Sequence, residues 1–119
     1  MRVVVAEDQP HVRAALAELV TEEGFELAGV AATGEEAVAL CERARPDVAV
    51  VDVKMPSGGA AMIREIRSGA PSTAVVVLSA YDDDGARRAM RRAGADAYIV
   101  KGGAVEHLVA AIRRAAEAG

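Results

Sequence analysis

Val48-Ala49-Val50-Val51-Asp52-Val53-Lys54-Met55-Pro56 is the stretch on which the fold turns. Four apolar residues in a row, without polar alternation, describe a central strand covered on both faces, and the carboxylate after them marks where that cover stops. Three more runs share the design: Val3-Val4-Val5-Ala6 leads to Glu7-Asp8, Val75-Val76-Val77-Leu78 to Ser79, and Tyr98-Ile99-Val100 to Lys101. If these runs are neighbouring parallel strands, three carboxylates, a hydroxyl and an ammonium group meet at one edge of the sheet. Such a set can hold a divalent cation and a phosphoryl group together.

Between the runs lie helical patterns, and the alternation repeats at intervals of roughly 22 to 27 residues, the rhythm of βα units. Strand 1 is expected over Arg2 to Ala6, with a helix from Pro10 to a stop at Gly24 whose buried stripe is Val12, Leu16, Leu19 and Val20. Strand 2 covers Phe25 to Ala31, and Thr33-Gly34-Glu35-Glu36 has the form of a capping box opening a helix toward Ala44, before Pro46. After the Gly58-Gly59 turn, helix 3 offers Met62, Ile63 and Ile66; strand 4 spans Thr73 to Leu78, and helix 4 runs from Asp84 to Ala93 with Gly94 as its stop. Strand 5 is Ala97 to Val100, and helix 5 carries Val105, Leu108, Val109 and Ile112. Parallel strands joined by right-handed crossovers form an open doubly wound α/β sheet, whose ligands bind beyond the carboxyl ends of the strands.

The 119 residues, 52% of them hydrophobic, suit one domain with a single core spanning 1–119. Cys41 is the only cysteine, which excludes an intrachain disulfide and a thiolate cluster and suits a reducing, cytoplasmic setting. No signal-peptide core or membrane-length apolar segment is present. A net charge of -4 gives no overall attraction for nucleic acid, and Phe25, Tyr81 and Tyr98 are too few for a base-stacking platform. Arg87, Arg88, Arg91 and Arg92 make a basic helix face, either solvated and partly paired with Asp82 to Asp84 or a partner surface.

Glu7, Asp8 and Asp52 would repel one another: a pair ~4 Å apart costs about 4 kcal/mol at an effective dielectric of 20. A hard cation relieves that cost, and an all-oxygen set with room for water suits magnesium better than zinc. Asp8 alone could instead cap the first helix, and Asp52 could be a turn residue before Pro56. As a nucleophile, Asp52 can form an aspartyl phosphate. Ser79 and Lys101 suit phosphoryl oxygens, although each alone could be a helix cap or a solvated loop residue. No glycine-rich cradle follows strand 1, so nucleotide binding is not expected.

The chain resembles the receiver domain of two-component response regulators. The likeness rests on Glu7-Asp8, on Val51 to Pro56, on Val76-Val77-Leu78-Ser79-Ala80, and on Ala93-Gly94-Ala95-Asp96-Ala97-Tyr98-Ile99-Val100-Lys101, in that order. It implies a flavodoxin-like (βα)5 fold with strand order 2-1-3-4-5 and phosphorylation at Asp52, with magnesium held by Glu7, Asp8, Asp52 and the Lys54 carbonyl. It further implies that Lys101 contacts the phosphoryl group, that Ser79 moves toward it and Tyr98 swings inward, and that Lys54 and Tyr81 flank the path of attacking water. The surface of helix 4, strand 5 and helix 5 would then carry the signal. Implied partners are a sensor histidine kinase or phosphotransfer protein and a second copy of the chain, with DNA reached only through an output domain and no role for a membrane. The domain would be a phosphoacceptor that assists its own chemistry rather than an enzyme. The competing class is a small aspartyl-phosphate-forming phosphatase or phosphotransferase, but Lys54 stands where such enzymes place a second carboxylate.

Two positions depart from the receiver pattern. Gly102 follows Lys101 where a cis proline is common, which predicts a trans bond and an altered loop. Ser57-Gly58-Gly59-Ala60 is one residue short, which predicts a looser loop. Glycine after the lysine, with Leu78-Ser79-Ala80-Tyr81-Asp82, is similar to receivers of the NarL/FixJ class.

Overall fold

The computed structural model describes residues 1–118; Gly119 lies outside the described residues. Strands and helices alternate as β1 (Arg2–Ala6), α1 (Pro10–Glu22), β2 (Glu26–Ala31), α2 (Gly34–Ala44), β3 (Val48–Asp52), α3 (Ala60–Gly69), β4 (Ala74–Ser79), α4 (Asp84–Ala93), β5 (Ala97–Val100) and α5 (Val105–Ala118). The strands form one parallel sheet in the order β2-β1-β3-β4-β5, the flavodoxin-like arrangement.

Successive strand residues face opposite sides of the sheet, so the unbroken apolar runs divide between two cores. Val4, Ala6, Ala49, Val51, Val75 and Val77 pack with residues of α2, α3 and α4, whereas Val3, Val5, Val48, Val50, Val76 and Leu78 pack with residues of α1 and α5. Every residue of β3 is buried, and each such valine contributes about 1.5 to 3 kcal/mol of transfer free energy. A polar side chain has only the strand ends to occupy.

The helix signals operate with local differences. Pro10 opens α1, whose N-cap is Gln9, so Asp8 is free of a capping role. Thr33 Oγ1 accepts a hydrogen bond from the Glu36 N–H at 3.1 Å, while Glu36 reaches back to the Ala32 N–H at 3.1 Å, one residue earlier than the usual reciprocal bond. Of the expected α1 stripe only Val20 is buried; Val12, Leu16 and Leu19 are half-buried along an apolar groove beside α5. Val105 is exposed at the start of α5, where Leu108, Val109, Ala111 and Ile112 supply the buried face instead. Its position on the first turn lifts it clear of the sheet.

The short β3–α3 loop is tied down, contrary to the expectation of looseness. The Gly34 N–H donates to Pro56 O at 2.7 Å, the Glu35 N–H to Ser57 Oγ at 3.0 Å, and the Gly58 N–H to Met55 O at 2.9 Å. The unpaired amides at the α2 N-terminus therefore find acceptors in this loop. Contact is close enough that a Cβ on Gly34 would lie 1.7 Å from the Ser57 carbonyl oxygen. Gly34→Ala is therefore expected to lose about 1 to 3 kcal/mol through forced backbone displacement, despite alanine's better helix propensity. Urea denaturation measures this, and a variant as stable as the parent would mean that the loop yields freely.

Candidate functional site

β1 and β3 are adjacent at the centre of the sheet, at the point where strand order reverses. Glu7, immediately after β1, and Asp52, at the end of β3, are brought together there, 0% and 3% exposed. Asp8 adds a more open carboxylate, and one oxygen from each of the three lies within 4.8 Å of the others. Lys101 reaches in from the end of β5, placing Nζ 2.7 Å from Glu7 Oε1 and 2.7 Å from Asp52 Oδ2. The Lys54 N–H donates to Asp52 Oδ1 at 2.9 Å, and the Asp8 N–H to Glu7 Oε2 at 2.9 Å.

Burial penalises each charge, and the neighbours decide the outcome. Burial and the adjoining Asp52 carboxylate push the Glu7 carboxyl above its ordinary value, with Lys101 opposing them. At Asp52 burial also works upward, but Glu7, Lys101 and the Lys54 amide outweigh it and hold the carboxyl below its ordinary value. Lys101 is pushed up because its bonds to Asp52 and Glu7 overcome its desolvation. A proton entering the pair therefore rests on Glu7, leaving Asp52 ionised.

Ser79 is the last residue of β4 and is buried; its Oγ accepts from the Tyr81 N–H at 3.2 Å. It does not cap α4, because Asp83 does so through a 2.9 Å bond from the Gly85 N–H. Among the described residues no hydrogen bond joins the Ser79 hydroxyl to Asp52 or Lys101, although the Lys101 N–H donates to Ser79 O at 2.7 Å. Lys54 Nζ bonds to the Tyr81 hydroxyl and lies 4.2 Å from that ring's centroid. Tyr98 is 6% exposed and already inward, its hydroxyl donating to Tyr81 O at 2.8 Å. The Lys101–Gly102 bond is trans, and Gly102 adopts φ +85°, which proline's ring forbids and glycine accepts.

Two supports escaped the sequence reading. Arg13 Nη1 donates to Glu7 O at 2.9 Å, bracing the acidic turn from α1. A cation close to a helix N-terminus, against the macrodipole, is the signal that could have drawn attention to it. The other is Arg87, whose guanidinium carbon lies 4.8 Å from the Tyr98 ring centroid.

A hydroxyl, an ammonium and three oxygen ligands at the switch point of such a sheet suit a cation and a phosphoryl group. Residues 3–113 match the response regulator receiver domain family. The chain belongs to that family. This receiver is 42% identical over 115 residues to the transcriptional regulatory protein PdtaR of Mycobacterium tuberculosis, covering 96% of the chain and 56% of that protein. It is 34% identical over 116 residues to response regulator GacA of Pseudomonas aeruginosa, covering 96% of the chain and 54% of that protein. The receiver thus spans little more than half the length of these relatives. Its backbone superimposes on the signal receiver domain of the putative response regulator NarL from Mycobacterium tuberculosis with a TM-score of 0.93, at 29% identity and with 99% and 97% of the two chains covered. That likeness agrees with the NarL/FixJ character of the Lys101-Gly102 segment. No helix among the described residues is long and apolar enough to cross a membrane.

The carboxyls affect stability with opposite signs. Asp52, held low, contributes stability that is lost as pH falls below 3.8 toward its folded value. Glu7, held high, favours the fold while protonated and costs stability as pH rises from 4.5 through its raised folded value. Without metal, Glu7→Gln should therefore lack the decline in unfolding free energy that the parent shows above pH 4.5. Denaturation at a series of pH values checks this, and parallel profiles would contradict the assignment.

Proposed function

We propose that this receiver is a phosphorylation switch in which Asp52 is the phosphoacceptor. The observation that carries the reading is the single ammonium of Lys101 held 2.7 Å from both buried carboxylates, Glu7 and Asp52, at the strand switch point. An Asp52 oxygen attacks phosphorus, an O–P bond forms, and the bond to a phosphohistidine nitrogen or small-molecule donor breaks with its electron pair leaving on the donor. Glu7, Asp8, Asp52 and the Lys54 carbonyl are the ligands for magnesium, a hard ion suited to the oxygen set. When bound, it neutralises charge between the carboxylate and the incoming phosphoryl oxygens. Lys101 then exchanges its carboxylate partners for phosphoryl oxygens, and Ser79 donates its hydroxyl proton to another.

Each charge-assisted bond contributes about 1.5 to 3 kcal/mol, so one biases a two-state surface by roughly ten- to a hundredfold and two by up to about ten-thousandfold. That surface is α4, β5 and α5, with Tyr98 as its internal indicator. Lys54 and Tyr81, joined across the mouth of the site, hinder water that would hydrolyse the aspartyl phosphate. A cytoplasmic histidine kinase or phosphotransfer protein supplies the phosphoryl group. The readers are an output domain, through which alone DNA would be contacted, or a second copy of the chain.

Incubation with acetyl phosphate and magnesium should add the mass of one phosphoryl group, and omission of magnesium should suppress the addition. In Asp52→Asn no addition is expected; its persistence there would refute the assignment. Shortening Lys54 and Tyr81 to alanine together should speed loss of the group, measured by the same mass assay after donor removal.

A further inference from the structure

Tyr98 points inward, and the contacts around it hold it there. Its hydroxyl is engaged by Tyr81 O at 2.8 Å, and its outer face is covered by the Arg87 guanidinium at 4.8 Å. Arg87 is itself held: Nη2 lies 2.7 Å from Asp82 Oδ1, in the loop just before α4. An exposed ion pair contributes little stability alone, but here it fixes the plane of a guanidinium over an aromatic face. The neighbouring Arg88 is exposed and stacks on no ring among the described residues.

We propose that Arg87 is a positioning residue: clamped by Asp82, it holds the Tyr98 ring inward and, through Tyr81, sets how well Asp52 is screened from water. The route is continuous. Arg87 covers Tyr98; Tyr98 bonds to the Tyr81 carbonyl; the Tyr81 ring and hydroxyl engage Lys54; and the Lys54 amide bonds to Asp52 Oδ1 at 2.9 Å. Loosening the outer member lets Tyr98 leave and frees the β4–α4 loop that carries Tyr81. Lysine at position 87 would keep the charge but lose the planar stack, so it should act partially. The effect on phosphoryl lifetime rests on the phosphoacceptor reading above, whereas the clamp can be tested without phosphorylation.

The experiment compares the parent with Arg87→Ala, Arg87→Lys and Arg88→Ala. In the unphosphorylated chain, NMR with a soluble paramagnetic probe reads exposure of the Tyr98 ring; after acetyl phosphate and magnesium, mass spectrometry reads the half-life of the modification. Arg87→Ala should expose the ring and shorten the half-life about two- to fivefold, the range of an exposed cation–π contact. Arg87→Lys should recover part of both, and Arg88→Ala should change neither. Equal ring exposure in the two alanine variants would overturn the clamp; an exposed ring with an unchanged half-life would overturn the link through Tyr81. Should the parent accept no phosphoryl group, the phosphoacceptor reading and the link fail, while the probe measurement still decides the clamp. Arg87→Gln, which retains a donor for Asp82, replaces Arg87→Ala if that variant does not fold.

Discussion

Lys101 Nζ stands 2.7 Å from Glu7 and 2.7 Å from Asp52, and both carboxylates are buried. Two such acids left to themselves at ~4 Å would repel by about 4 kcal/mol at an effective dielectric of 20. The ammonium makes the arrangement tolerable, and it arrives from β5, two strands away from β3. Its long flexible stem crosses the end of β4, a reach that no short side chain there could match. The site therefore depends on sheet register: slipping β3 by one residue would send the Asp52 side chain to the opposite face.

The same cluster has the charge balance of a site that could take a cation. Three carboxylates face one ammonium, so ionising all three leaves excess negative charge at the site. The fold accommodates part of that excess by raising the Glu7 carboxyl and bridging it with Lys101. The bridge is also a competitor, because the ammonium occupies oxygens on both Glu7 and Asp52. On the proposed reading, metal and phosphoryl binding would thereby be coupled to movement of that one side chain.

The sheet and the members of the site were legible because burial on both faces leaves a strand no option but an apolar run. Asp52 stands out only because Val48 to Val51 forbid a polar residue before it. Helix stripes were less legible: Val12, Leu16 and Leu19 have the right spacing, yet α1 leaves them half-buried because α5 does not close over that groove. Periodicity reports which face can be buried, and packing decides how much is. The anchored β3–α3 loop was hidden for a related reason. Its acceptors serve amides more than twenty residues away in sequence, and Ser57-Gly58-Gly59 taken locally shows only flexibility. Arg87 was visible as a charge on a basic helix face, but its ring partner comes from the following strand, β5.

Gly102 shows how a departure from the family pattern can leave the geometry of the site intact. The Lys101 backbone is fixed by strand pairing, its N–H donating to Ser79 O at 2.7 Å, so the direction of the side chain is set before the loop begins. The turn comes afterwards, at φ +85°, with the Gly103 N–H approaching Val100 O at 3.4 Å. Proline could not adopt that backbone, and a side chain at position 102 would be strained there even though the space around it is open. Glycine thus meets a requirement of the turn rather than weakening the lysine. The loop is free to differ from other receivers because the Ser79 carbonyl, in the ladder, ties Lys101 to the strand beside it.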